Sequence, residues 1–169
     1  MRIVTTPMCE EILKIAGVSD YKVNKFPTKE DGDLAILLSE SKADMESLYL
    51  KLNTFKQIKD SVEKVGKRCN KQGTVDFSKC EIASKYLNKE IENSTKVKVY
   101  SNFLKDIVED MGFVIADSDY DYVVAPDYLI EKIHEDKPVI KIPSHSSVSL
   151  NPIERACSRY KILEDFINK

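Results

Sequence analysis

The sequence predicts an α/β protein: a mainly parallel central sheet of two related β-α-β units, with helices on both faces and an inserted helical pair. Three observations carry this expectation. A short apolar strand followed by an amphipathic run that stops at glycine occurs twice, 95 residues apart. Each run leads to a second, buried-type strand preceded by an aspartate, Asp33 or Asp121. Between the two copies lies a long stretch of apolar residues interleaved with charges, which reads as helix.

In the first copy, Arg2 to Thr6 is the strand, and Ile12, Leu13, Ile15 and Ala16 form a helical stripe that ends at Gly17. In the second copy, Val97 to Ser101 is the strand, and Phe103, Leu104, Ile107, Val108 and Met111 form the stripe that ends at Gly112. Both glycines lie 15 residues past the start of their strand and suit a left-handed helix cap. Leu34 to Leu38 and Tyr122 to Ala125 are the second strands. The insert reads as one helix from Asp44 to about Val65, a loop, and a second helix from about Ser78 to Glu92. It either caps the sheet or forms a dimer interface of a homo-oligomer. Pro138 to Ile142 is a further strand. The last helix starts at Asn151-Pro152-Ile153-Glu154, where Asn is a good N-cap, Pro suits the first turn and Glu the third position. One α/β domain spans 1–169: a half-unit at 1–41, the insert at 42–95, and a half-unit with the C-terminal helix at 96–169.

Composition narrows the function. The 169 residues are 42% hydrophobic and 32% charged, so a core can form. Lys and Arg number 26 against 28 Asp and Glu, a net charge of −2 that argues against a nucleic-acid binder. No apolar run reaches the roughly 20 residues of a membrane span, and a strand begins almost at Met1, so a cytosolic protein without a signal peptide is expected. Cys9, Cys69, Cys80 and Cys157 have no metal-site spacing and are expected as thiols, with Cys157 on the apolar stripe of the last helix. His134 suits a helix C-terminus. Asp117, Asp119 and Asp121 are expected to form a solvated acidic loop rather than a cation site.

Ligands of an open parallel sheet bind beyond the carboxyl ends of its strands. Four segments are expected there: Thr5-Thr6-Pro7-Met8-Cys9, Ser39-Glu40-Ser41, Ser101-Asn102, and the loop containing Ser144, His145 and Ser146. Their hydroxyls and amides suit a phosphate or a polar small molecule, although Thr6, Ser101 and Asn102 could equally be helix caps alone. With Thr6 as N-cap and Pro7 as first helical residue, Cys9 falls at the third helical position. There the helix dipole and open amides lower a thiol pKa and favour a nucleophile. Glu10 and Glu11 oppose this, a cysteine there can also be a small apolar filler, and Leu104, the counterpart of Cys9 in the second copy, shows that the architecture does not demand a thiol.

The opening strand, the segment Thr5-Thr6-Pro7-Met8-Cys9 and the later Ser144-His145-Ser146-Ser147 loop resemble the HcgF family. Those proteins accompany biosynthesis of the iron-guanylylpyridinol cofactor of the iron-only hydrogenase of methanogenic archaea. The resemblance implies that Cys9 attacks the adenylate-activated carboxyl group of guanylylpyridinol to form a protein thioester. A ThiF-like adenylating enzyme would be the partner, with no tightly bound cofactor, metal, nucleic acid or membrane involved. The alternatives are a non-catalytic nucleotide or small-ligand binding module, or a structural partner in an archaeal biosynthetic assembly that uses the insert.

Overall fold

The computed structural model describes residues 1–88, 93–144 and 148–168. The chain divides into two compact units, Met1–Lys79 with Leu150–Glu154, and Cys80–Ser149 with Arg155–Lys169. Each unit has its own four-stranded parallel sheet. The fold class is the expected α/β, but the two β-α-β copies do not share one central sheet.

In the first unit the strands are β1 (Ile3–Thr5), β2 (Lys22–Val23), β3 (Leu34–Leu38) and β4 (Ser47–Leu50). Their spatial order is β2-β1-β3-β4, all parallel. The helices are α1 (Glu10–Ile15) and α2 (Phe55–Cys69). In the second unit α3 (Glu81–Leu87) precedes β5 (Lys96–Val99), α4 (Asn102–Asp110), β6 (Val114–Ile115) and β7 (Tyr122–Pro126). A 3-10 turn at Asp127–Lys132 and β8 (Val139–Ile142) follow, and α5 (Pro152–Ile167) belongs to this unit from Arg155 onward. The order is β6-β5-β7-β8, again parallel, so the two sheets have the same winding.

The duplication extends to single hydrogen bonds. Gly17 and Gly112 both have φ +85°. At the first, Val18 N–H donates to Leu13 O and Gly17 N–H to Lys14 O; at the second, Phe113 donates to Val108 and Gly112 to Glu109. Both are the double-bonded left-handed helix ending in which glycine avoids the Cβ penalty. At the strand entries, Asp33 Oδ2 accepts Arg2 N–H at 2.8 Å, and Asp121 Oδ2 accepts Lys96 N–H at 2.9 Å. Asp121 thus pins the start of β5, while Asp117 and Asp119 are exposed as expected for a solvated loop.

The expected long helix from Asp44 is corrected. Leu48, Leu50 and Leu52 are spaced by two, a strand period, and Ser47–Leu50 pairs with β3. The helix begins only after a capping box, in which Thr54 accepts from Gln57 N–H and the Gln57 side chain accepts from Thr54 N–H. The second helix of the insert is confined to Glu81–Leu87, and the end expected for it lies in 89–92, outside the described residues. The N-terminus of α5 is as expected, with Asn151 Oδ1 accepting from Ile153 and Glu154 N–H at 2.9 and 3.2 Å. The four-thiol expectation is also corrected. Cys80 and Cys157 form a disulfide within the second unit, Cα–Cα 6.1 Å, a separation that suits the bond. No described helix is long and apolar enough to cross a membrane.

Candidate functional site

Cys9 is not at the third helical position. Residues 7–9 form a turn in which Cys9 and Glu10 N–H both donate to Thr6 O at 3.1 Å, and Cys9 is the N-cap of a six-residue helix. Cys9 has no exposed surface (0%), like Ile12 and Leu13 of the same helix. Leu104, its counterpart 95 residues on, is also at 0%. Both copies therefore place a core residue here.

The other expected ligand groups divide between the units. Thr5 is fully buried, and its hydroxyl donates to Ile36 O at 2.8 Å, a strand-to-strand tie rather than a ligand contact. Thr6 is buried, while Pro7 and Met8 are half-buried. Ser39 and Glu40 are exposed and bonded to each other at 3.1 Å, with Ser41 half-buried beside them. In the second unit, Ser101 is the N-cap of α4 by position but makes no side-chain cap bond, and Asn102 is exposed. Ser144 is buried, and His145 and Ser146 lie outside the described residues. Each sheet has its own carboxyl edge, so the four segments do not line the edge of one sheet. His134 lies just past the 3-10 turn and is exposed.

The most distinctive polar site among the described residues lies elsewhere, on the second sheet. Glu135 accepts from three donors: Lys98 Nζ at 2.8 Å and the hydroxyls of Tyr100 and Tyr120. Lys98 Nζ also stands 5.3 Å from the Tyr100 ring centre and 5.5 Å from that of Tyr120, within cation–π range. The Glu135 side chain is only 11% exposed and that of Lys98 28%. Hydrogen bonds from Lys98, then Tyr100 and Tyr120, hold the Glu135 carboxyl down at about 2. The bond to Glu135 raises Lys98, and the same carboxylate raises the Tyr120 phenol. At neutral pH the site is therefore an ammonium–carboxylate pair beside the Tyr120 phenol, and the Tyr100 hydroxyl donates to the same carboxylate. Beside it is an opening of about 470 Å³, lined by Asp117, Asp119, Asp121, Glu135 and Asp136 together with Ser118, Tyr120 and Lys137. Among the described residues no three His, Cys, Asp or Glu side chains group closely enough to hold a metal.

The first unit serves as an internal reference. Val4 pairs with Ala35 across β1 and β3, as Lys98 pairs with Val123 across β5 and β7. Ala35 N–H donates to Glu46 O as Val123 N–H donates to Pro138 O, so Ala43 and Glu135 stand at the same count before the matched residues, each three residues earlier. Ala43 packs on the buried cluster of Val4, Ala35 and Leu37. An apolar contact in one copy is thus a Lys–Glu pair in the other. Lys98 on β5 and Tyr100 just past its end alternate with Val97 and Val99, a strand period that could have marked the site in the sequence.

The fold defines a two-unit parallel α/β protein. Residues 93–168 match the family model "MJ0786 family C-terminal domain", a match that does not include Thr5 to Cys9. No curated protein matches the sequence. Among solved structures, the chain is similar to the Zn(II)-bound AdcAII mutant variant of Streptococcus pneumoniae, at 10% identity over 98% of both chains with a TM-score of 0.50. It is also similar to the laminin-binding protein Lbp of Streptococcus pyogenes, at 11% identity over 96% of this chain and 97% of that one, TM-score 0.45. At such identities the first likeness speaks to fold alone.

Proposed function

We propose that the chain is a non-catalytic binding protein for a small polar ligand, with recognition carried by the second unit around Lys98, Tyr100, Tyr120 and Glu135. Support comes from the contrast between two copies of one fold. A partly buried ion pair adds little over an apolar contact in the same place, because both charges lose hydration. The first copy has Val4 at the position of Lys98, in an apolar cluster that Ala43 packs against, so the fold itself does not require the charges. Their presence beside an opening of about 470 Å³ is best accounted for by a ligand.

The lining selects the ligand class. Carboxylates and a phenol oxygen accept hydrogen bonds and favour positive charge, while they repel a phosphate. An amine, a guanidinium or a polyol suits the opening; the phosphate of guanylylpyridinol does not. Thioester formation at Cys9, with guanylylpyridinol delivered by a ThiF-like enzyme, requires a thiol that meets solvent, and Cys9 is wholly enclosed.

Calorimetric titration of the full chain with an alkylammonium, a guanidinium, a polyol and guanylylpyridinol tests the proposal. We expect binding of a donor-rich probe that weakens about tenfold, the equivalent of one good hydrogen bond, in Tyr120→Phe and in Glu135→Gln. Binding of guanylylpyridinol alone, indifferent to both substitutions, would contradict it.

A further inference from the structure

Helix α3 stands outside the repeated strand–helix series. It has seven residues, too few to persist in water without partners. Its hold on the second unit is concentrated at two points. At its N-cap, Cys80 is bonded covalently to Cys157 of α5, and the two residues are 4% and 9% exposed. At its other end, Lys85 Nζ and the Tyr86 hydroxyl both reach the carboxylate of Glu164, at 2.9 and 2.7 Å. The Tyr86 ring lies 5.1 Å from that of Tyr160, and Ile82 and Ala83 are buried between these ends.

We infer that the Cys80–Cys157 bond is a redox latch on α3. With the bond formed, the first turn of α3 cannot leave α5. With it reduced, α3 is held only by packing and by one carboxylate, and its undocking becomes a local equilibrium separate from unfolding of the sheet. The reductant is a dithiol. One of its thiolates attacks a sulfur of the disulfide and expels the other cysteine as thiolate. Its second thiol then displaces the mixed disulfide. The protein gains two electrons and two protons, and the reductant leaves as its own disulfide. Because both cysteines are nearly enclosed, attack requires fraying at the N-cap, so reduction is slow in the folded protein.

Two measurements on the full chain test the latch. Unfolding without reductant followed by alkylation should label two cysteines, Cys9 and Cys69; labelling of all four would overturn the inference. Hydrogen exchange is then compared before and after dithiothreitol, with reduction verified by mass. We expect exchange over Glu81–Leu87 to rise by about an order of magnitude, with α4 and β7 unchanged, and Cys157→Ser to show the same pattern without reductant. No change over α3 would overturn the latch, as would a uniform rise across the second unit, which marks a purely global staple.

Discussion

Val4 and Lys98 occupy the same register position in two copies of one sheet, opposite Ala35 and Val123 respectively. Val4 is fully buried against an apolar neighbour, whereas Lys98 meets the carboxylate of Glu135 and two tyrosine rings. The backbone tolerates both solutions. Identical strand order, glycine endings and aspartate anchors remove the fold as an explanation for the difference.

Removal of one member of the pair should be worse than removal of both. Glu135→Ala strands the Lys98 ammonium and deprives two phenols of their acceptor, and the melting temperature should fall. Lys98→Val with Glu135→Ala restores the residue types of the first copy and should recover much of that loss. Thermal denaturation of the three proteins checks the order.

Glu135 also gives the protein an acid limit. Its carboxyl is lowered from 4.5 to about 2 on folding, chiefly by Lys98 and then by the two tyrosines. A lowered carboxyl contributes stability above its unfolded value, and that contribution is lost as pH falls through the folded value. Denaturant midpoints should therefore drop between about pH 4.5 and 2, and the drop should be smaller in Glu135→Gln.

Cys9→Ala should cost about 1 kcal/mol, the transfer and cavity terms for one small buried side chain. Incubation with guanylylpyridinol, ATP and an adenylating enzyme should leave the intact mass unchanged. A gain equal to the ligand less water, absent in Cys9→Ala, would restore the acyl-transfer mechanism.

Much of the fold was legible because it repeats. Gly17 and Gly112 marked both helix endings, and Leu34 to Leu38 and Tyr122 to Ala125 read as central strands from their unbroken apolar runs. The two-residue strands at Lys22–Val23 and Val114–Ile115 carry too few positions for any periodicity. Ser47–Leu50 was hidden because its leucines also fit a helical stripe when joined to Phe55 and Ile58. The site was harder. Cys9 drew attention by its place in sequence, but burial depends on where the turn after Thr6 closes, which spacing does not fix. Lys98 and Glu135 are 37 residues apart and meet only through the register of β7 and β8.

Close packing sets another test. A Cβ on Gly73 would lie 1.7 Å from the Ile15 carbonyl oxygen, a backbone atom that cannot swing aside. Gly73→Ala should destabilise the first unit by about 3 kcal/mol, the upper range for overpacking, as read from chemical denaturation.

The most direct test of ligand recognition is amide chemical-shift mapping of the full chain titrated with the tightest-binding donor-rich probe. The largest saturable shifts should fall at Lys98, Tyr100, Asp117 to Tyr120 and Glu135, and should need about tenfold more probe to saturate in Glu135→Gln. Shifts centred instead on Thr6, Cys9 and Ser39, unaffected by that substitution, would contradict the account.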